Sequence, residues 1–325
     1  MPSRYRLLFF FALLCGSFST ARAQQEAQYS LHMLDPVQIN PAYAGLDNSL
    51  AVTATYRSQW AGLEGSPTGQ RLSAHLPLYF LSSGIGITVE NDELGSRRLT
   101  NLGLSYNYQL VGPRSVWSLG VTARFQQMNL LGGDLRTPSG DYDQGVIVHN
   151  DDLLPDATIQ GGAVGLGGGI YYQSERLEGG ISVLNASEPI IDLSSDLSYR
   201  TSRTAHLFLL GHLDLPGKLT LHPSVWVRND GVQTQGEISA RVQYDDNIFA
   251  GASFRGYSAE TIDAVVIMAG VNLSSKLRLA YAFDLGLSDL RTTHNGSHEI
   301  SLYYNLGKRI GSGLPPPIIY HPRVR

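Results

Sequence analysis

Residue clusters whose types could do chemistry are few in this 325-residue chain, and each lacks a member that the chemistry needs. Gly162-Ala163-Val164-Gly165-Leu166-Gly167-Gly168-Gly169 has the glycine content of a phosphate-cradling loop, but no Lys-Ser or Lys-Thr follows it and no helix begins there. Small residues facing an interior, or a bend in a strand, account for the run. Asp141-Tyr142-Asp143-Gln144-Gly145 and Asn150-Asp151-Asp152 gather carboxylates as a calcium loop does, without the downstream bidentate Glu that completes one, and read as solvated acidic surface. His294 and His298 stand four apart on a turn that leads into a strand, with no helix to align them and no third ligand. No nucleophile with a placed base is recognisable. The expectation is a protein that is not an enzyme and takes no cofactor and no metal. A net charge of −4 with scattered Lys and Arg leaves no footprint for nucleic acid.

The remaining polar residues of interest are spread along the chain: Arg57, Gln59, Arg124, Glu237, Arg241, Arg255, Arg278, Asp284 and Glu299. Each lies in a stretch where apolar and polar residues alternate, and each takes the polar parity. Leu102, Leu104, Tyr106, Tyr108 and Leu110 alternate with Gly103, Ser105, Asn107 and Gln109, and Trp117, Leu119, Val121, Ala123 and Phe125 alternate with Ser118, Gly120, Thr122, Arg124 and Gln126. Leu277 to Leu285 and Ile300 to Leu306 repeat the pattern. Successive strand residues point to opposite sides, so the charged residues share one face and the apolar ones the other. A Lys or Arg facing lipid at mid-membrane costs about 2–4 kcal/mol, and the apolar faces carry no charge. The charges therefore face a lumen, where Glu237 or Glu299 can pair with a charge.

The elements that must position these residues follow from composition. Charged residues make up 16% of the chain, against roughly 25% in an ordinary soluble domain, so something other than water covers much of the surface. Past the N-terminus no window offers about 18 consecutive apolar residues, which excludes membrane-spanning helices. At the N-terminus Arg4 and Arg6 precede an apolar run from Leu7 to Leu14 and the small-residue site Ala21-Arg22-Ala23, the pattern of a signal peptide over 1–23 with the mature chain starting at Gln24. Cys15, the one cysteine, lies inside it behind Leu14, a poor fit to a lipoprotein site. The mature chain then has no thiol and no disulfide.

Strands of the length needed to cross a membrane obliquely, about 9 to 11 residues, tile the rest. The alternation places them near 49–60, 69–76, 83–90, 98–110, 115–128, 157–173, 176–184, 203–213, 219–228, 234–244, 248–255, 263–273, 276–285 and 297–306. That is an even number, about 14, as bacterial single-chain barrels have. Long connections at 129–156, 185–202 and 286–296 follow odd-numbered strands, while 112–114, 174–175, 215–217, 245–247 and 274–275 are tight. A soluble sandwich has no reason to keep that parity; an all-β, up-and-down antiparallel transmembrane barrel does, with short turns and both termini in the periplasm and long loops at the cell surface. Trp60, Tyr79, Phe80, Tyr171 and Tyr172 at strand ends read as aromatic girdles. The domain expectation is a periplasmic N-terminal plug segment over 24–48, a barrel over 49–306 in contact with outer-membrane lipid, and a Pro-rich periplasmic tail over 307–325.

Several motifs carry a resemblance. Gln28-Tyr29-Ser30-Leu31-His32-Met33-Leu34-Asp35-Pro36 leads to Asn40-Pro41-Ala42-Tyr43-Ala44-Gly45, followed by Tyr56-Arg57-Ser58-Gln59-Trp60, Pro67-Thr68 and Ser73-Ala74-His75-Leu76-Pro77. Near the other end stands Asn295-Gly296-Ser297-His298-Glu299-Ile300-Ser301-Leu302. Together they resemble the PorP/SprF family, which works with the type IX secretion and gliding machinery. Asp35 stands where the family has an amide, and the tail after Gly307 lacks its usual cysteine.

The resemblance implies an outer-membrane accessory that helps deliver a large secreted adhesin and holds that adhesin's type IX C-terminal domain at the surface, with other type IX secretion or gliding components as further partners. Two alternatives stay open: a core secretion component that contacts periplasmic ring or motor proteins, and a small-solute porin. Asn40, Pro41, Ala42, Tyr43, Ala44 and Gly45 either fold under the barrel and close its periplasmic mouth or meet a partner there; Asn-Pro suits a turn and Gly45 a positive dihedral. In the 185–202 loop Ile190, Ile191, Leu193 and Leu197 are apolar where water is expected, which marks either a contact surface or a loop that folds back into the lumen.

Overall fold

The computed structural model describes residues 27–142, 146–151, 154–256, 262–287, 289–308 and 310. The signal peptide expected over 1–23 and nearly all of the 307–325 tail lie outside them, as does part of the acidic stretch 141–152. The strands are β1 (Ala51–Ser58), β2 (Thr68–Leu78), β3 (Ser83–Leu94), β4 (Arg97–Val111), β5 (Ser115–Leu131), β6 (Thr158–Ser174), β7 (Leu177–Leu184), β8 (Ile190–Asp192), β9 (Ser198–Arg200), β10 (Thr204–Gly211), β11 (Leu213–Leu215), β12 (Leu219–Asn229), β13 (Thr234–Tyr244), β14 (Ile248–Arg255), β15 (Ala264–Asn272), β16 (Leu277–Gly286) and β17 (Ser297–Asn305). Fourteen of them form a closed antiparallel barrel in which neighbours in sequence are neighbours in space, sealed by β1 against β17 and by β10 against β12. The pair β8–β9 is a separate hairpin, and β11 only extends the edge of β12. Among the described residues no helix is long and apolar enough to cross a membrane.

The two parities separate as the sequence pattern requires. On β5, Trp117, Leu119, Val121 and Phe125 are exposed, whereas Ser118, Thr122, Arg124 and Gln126 are buried. The same inversion, apolar outside and polar inside, runs around the wall. A surface of this kind is stable only in an apolar solvent.

Two connections at the long-loop end are tighter than the parity of loop lengths suggests. β3 and β4 join through Gly95-Ser96, and β12 and β13 through residues 230–233. Gly95 (φ +54°) and Gly231 (φ +86°) supply the left-handed backbone these turns need. The outward residues of β3 and β4 near their turn, Asn91, Glu93, Arg98 and Thr100, are polar, so these strands outrun the apolar band and finish in water instead of leaving a long loop. The strand expected over 203–213 breaks after Gly211. Tyr171 is not a girdle residue: it is fully buried on the inner face, where its hydroxyl donates to Glu178 (3.0 Å).

The hydrophobic core lies in the lumen. Leu31, Met33, Leu34, Val37, Ile39, Ala42, Tyr43, Ala44 and Leu46 pack against Val116, Tyr171, Phe208, Leu210, Trp226, Phe249, Val266, Met268, Ala280 and Ala282 of the inner wall. Residues 27–50 thus thread the barrel as a plug. Pro36 and Pro41 remove backbone donors and limit the segment to three short 3₁₀ turns, His32–Leu34, Pro36–Gln38 and Pro41–Tyr43. The wall makes room with glycine. A Cβ at Gly120 would collide with the backbone of Ala42, and one at Gly84 with the carbonyl of Ala44.

This corrects the expectation of a periplasmic segment below the barrel. Ser30 is bound by residues at the long-loop ends of β1, β14, β16 and β17, whereas Gly45 lies against Leu76 and Pro77 at the turn end of β2. The plug descends from the long-loop end to the turn end before β1 begins. The reason is chemical: the inward parity of fourteen strands is too polar and too wide to pack on itself, and the apolar plug residues have no other core to enter.

Candidate functional site

Ser30 sits at the centre of a buried charge cluster drawn from five strands. Arg57 on β1 faces Glu299 on β17 as a cross-strand pair, and Glu237 on β13 faces Arg255 on β14 in the same way. Arg57 reaches Asp284 of β16 at 2.8 Å and Glu299 at 3.2 Å; Arg255 reaches Glu237 at 2.9 Å and Asp284 at 3.0 Å. The plug completes this set. Both oxygens of Glu299 accept from backbone N–H groups, Ser30 at 2.6 Å and Leu31 at 2.9 Å. The Ser30 hydroxyl donates to Asp284 (2.7 Å) and accepts from Arg57 and Arg255, each at 3.0 Å. With Asp263 at 3.5 Å from Arg255, four carboxylates face two guanidiniums, and the plug's two N–H groups supply donors to one of them, Glu299. The cluster is a latch.

A second polar set grips the middle of the plug. Arg71 bonds Glu90 and Gln38 and lies over the Tyr29 ring at 4.3 Å; Arg124 and Asn101 also reach Glu90, at 3.6 and 3.2 Å. Ser73 donates to Asp35 at 2.8 Å. The plug's His32 ring packs against Trp226, with ring centroids 4.2 Å apart, and edge-on against Phe208. Arg241 bonds Gln243 (3.0 Å) and lies over Phe249, and Arg278 bonds Asn272 (2.8 Å) and lies over Tyr303. Gln59 is half-buried and lines a cavity of about 200 Å³ at the long-loop end with Ala27, Trp60 and Arg97.

Residues 40–45 are spent on the barrel's own wall. Asn40 caps its turn by accepting from Ala42 N (3.0 Å) and donates through Nδ2 to the carbonyls of Ile170 and Ile181 (3.0 and 3.2 Å). Asn107 donates to the carbonyls of Ala42 (3.0 Å) and Ala44 (2.6 Å). Tyr43 bonds Asp47 (2.5 Å) and packs edge-on against Tyr171, and Gly45, at φ +77°, donates to His75 (3.0 Å). Asn40, Pro41, Ala42, Tyr43, Ala44 and Gly45 are all buried, so direct partner contact by this motif is excluded while the plug is seated. The loop candidates need a similar correction. Ile190 is 43% exposed, but Ile191 is fully buried against Leu99 and Met128, and Leu193 and Leu197 are half-buried. The β8–β9 hairpin folds into the lumen mouth because Gly161 on β6 leaves no Cβ in the way of Asp192 and Ile191.

Ser30, Asn107 and Ser182, which donates to the Ile39 carbonyl, were not singled out by their sequence context. The signal was available for Ser30, which lies inside the quoted N-terminal motif, and for Asn107, which holds the polar parity of β4. Among the described residues no three His, Cys, Asp or Glu side chains are grouped to hold a metal. The acidic stretches 141–145 and 150–152 fall partly outside them.

A family model described as type IX secretion system membrane protein PorP/SprF matches residues 21–304. No curated protein matches the sequence significantly. Among solved structures, the chain is similar to the Ralstonia pickettii toluene transporter TbuX, at 12% identity over 84% of this chain and 93% of that one, with a TM-score of 0.47. It is also similar to a Pseudomonas aeruginosa FadL homologue, at 10% identity over 82% and 92%, with a TM-score of 0.47. The Acinetobacter baumannii outer membrane protein Omp33 shares 8% identity over 80% and 99%, with a TM-score of 0.43. At such scores these likenesses say nothing of what this chain binds or conducts.

Proposed function

The chain belongs to the PorP/SprF family of type IX secretion system membrane proteins, and from that membership we propose that this outer-membrane barrel acts by binding: it recognises the C-terminal domain of a cognate secreted adhesin, helps deliver it, and retains it at the cell surface. The observation that favours binding over conduction is the filled lumen, whose core is built by the plug itself. With the interior occupied, the rim and loops of the long-loop end are the surface left for recognition, on a wall that holds them rigidly. The motif at 40–45, buried in the lumen, gives no purchase to periplasmic ring or motor proteins, which disfavours the reading as a core component built on that motif.

Deleting the gene and fractionating the cells tests the proposal. Loss of one surface adhesin to the medium is the expected result; retention failure of every type IX cargo points to a core component, and intact retention with reduced uptake of a small solute points to a porin. Orientation is tested separately. A tag inserted in the 129–156 loop should be labelled on intact cells and one placed after Arg325 should not, and the purified barrel should migrate differently on gels before and after boiling. The reverse labelling pattern overturns the assignment of the long-loop end to the cell surface.

A further inference from the structure

The barrel wall has a step in it. β6 pairs with β5 over its whole length, Thr158 to Ser174, but with β7 only from Gly168 to Gln173. β7 ends at Leu184, Asn185 turns away in the left-handed region (φ +50°), and the chain enters the lumen as the β8–β9 hairpin. Ten residues of β6, 158–167, therefore have a strand on one side and, among the described residues, none on the other.

Leu166 shows which groups point across this open side: its carbonyl accepts from Ala186 N (2.6 Å) and its N–H donates to Ser187 Oγ (3.0 Å). Val164, Gly162 and Gln160 share its parity and present their N–H and C=O the same way, and among the described residues no strand pairs with them there. The edge starts inside the apolar band. Val164 is 57% exposed and sits opposite Phe125, itself exposed on the outer wall. Unpaired backbone at an apolar boundary costs several kcal/mol per group. The edge is also held rigid, since Ile191, Asp192 and Pro189 brace its inner face at Gly161 and Gly165. Where the open stretch ends, at Gly168, an outward apolar hollow of about 460 Å³ begins, lined by Gly168, Ile170, Ile181, Val183, Ala205 and Leu207.

A row of alternating N–H and C=O dipoles at strand spacing is complementary in partial charge to one kind of partner, the backbone of another extended segment. An acyl chain fits the hollow but satisfies none of the edge. We infer that β6 residues 158–167 receive an extended segment of the secreted partner as an added strand, with an apolar side chain of that segment seated in the hollow. The inference rests on the proposed adhesin-binding function and names the place where the partner is held.

Hydrogen exchange read by mass spectrometry on outer membranes tests it with the protein unaltered. The amides of Gln160, Gly162 and Val164 should exchange about tenfold or more slowly in membranes from export-competent cells than in those from a strain whose type IX export is blocked. Equally fast exchange in both overturns the inference. So does equally slow exchange, which assigns the edge to lipid or to a second copy of the chain. Val164→Pro removes one donor from the open side and leaves the β5 ladder intact, because the hydrogen-bonding groups of Val164 face away from β5. It should release about tenfold more of the retained cargo to the medium, while Val164→Ala, which keeps the donor, should not. If deletion of the gene releases cargo and Val164→Pro, shown by its heat shift to be folded, does not, the edge inference falls and the adhesin reading stands. If deletion releases no cargo, the adhesin reading falls, whatever the exchange rates show.

Discussion

Deleting residues 27–48 turns a silent barrel into a conducting one: in planar bilayers the intact protein should show no stable current and the plugless protein steady open channels. Fourteen strands enclose a space that must be filled or wet, and in this chain the plug's apolar residues fill it together with the inward wall. Without them, Arg57, Arg71, Arg124, Glu90, Asp284 and Glu299 would line a water-filled passage. A subtler variant leaves the plug in the chain and denies it a seat. Gly120→Val, with Gly84→Val, places side chains where the backbone of Ala42 and Ala44 now runs, and no flexible group is there to yield. Both proteins should keep the heat-dependent gel shift of a closed barrel. If both fold and neither conducts, something other than the plug seals the lumen. If the intact protein conducts as well as the variants do, the filled interior no longer disfavours a porin.

A plugged lumen also changes what the loops have to do. In an open porin, inward-folded loops constrict a passage; here the β8–β9 hairpin packs over a plugged lumen, in a separate apolar cluster of Ile191, Leu99 and Met128. The strands flanking it, β3 to β6, rise above the apolar band with polar outward residues. The long-loop end is therefore uneven, high over β3–β6 and low over β7–β10, and the open edge of β6 lies at the step. Such a surface suits the capture of one partner in one orientation better than passage of a solute.

Most of the wall was legible in the sequence, because a wall with lipid on one side and a polar interior on the other imposes a period of two on every strand. Arg124, Glu237 and Arg255 could be assigned a face from parity alone, before any partner was known. The plug was not legible in the same way. Its apolar residues, Leu31, Met33, Leu34, Val37 and Ile39, follow no strand or helix period, since Pro36 and Pro41 break the segment into short turns, and nothing local says whether such a segment lies under a barrel or inside it. Tyr171 misled for a related reason. Adjacent aromatics at a strand end suggest a girdle, but neighbours in a strand face opposite ways, so only Tyr172, packed at a tilt against Trp117 at 4.8 Å, is on the outside. The apolar residues of 185–202 were ambiguous between an exposed contact and a lumen insert. Gly161 and Gly165, which make the insert sterically possible, lie too far away in sequence to be connected with the loop by spacing.

The second large effect expected is at the latch. Glu299→Ala should release the top of the plug, because it removes the acceptor for two backbone N–H groups and one carboxylate partner of Arg57 together. Losing one member of a buried, hydrogen-bonded ion pair costs about 3–5 kcal/mol, and a destabilisation of that size raises the population of the opened segment by about two to four orders of magnitude. The chain's only cysteine lies at position 15, so a cysteine introduced as Gln28→Cys is the one reactive thiol of the chain from residue 27 onward. Its labelling rate from the long-loop end should rise by that factor in Glu299→Ala and only modestly in Glu299→Gln, which keeps one acceptor oxygen for the plug. Arg57→Ala should act in the same direction. Because Arg57 and Glu299 meet each other and both hold Ser30, the double variant should cost clearly less than the sum of the single ones. Strict additivity, or unchanged labelling in Glu299→Ala, would show that apolar packing alone seats the plug and that the charges around Ser30 hold nothing.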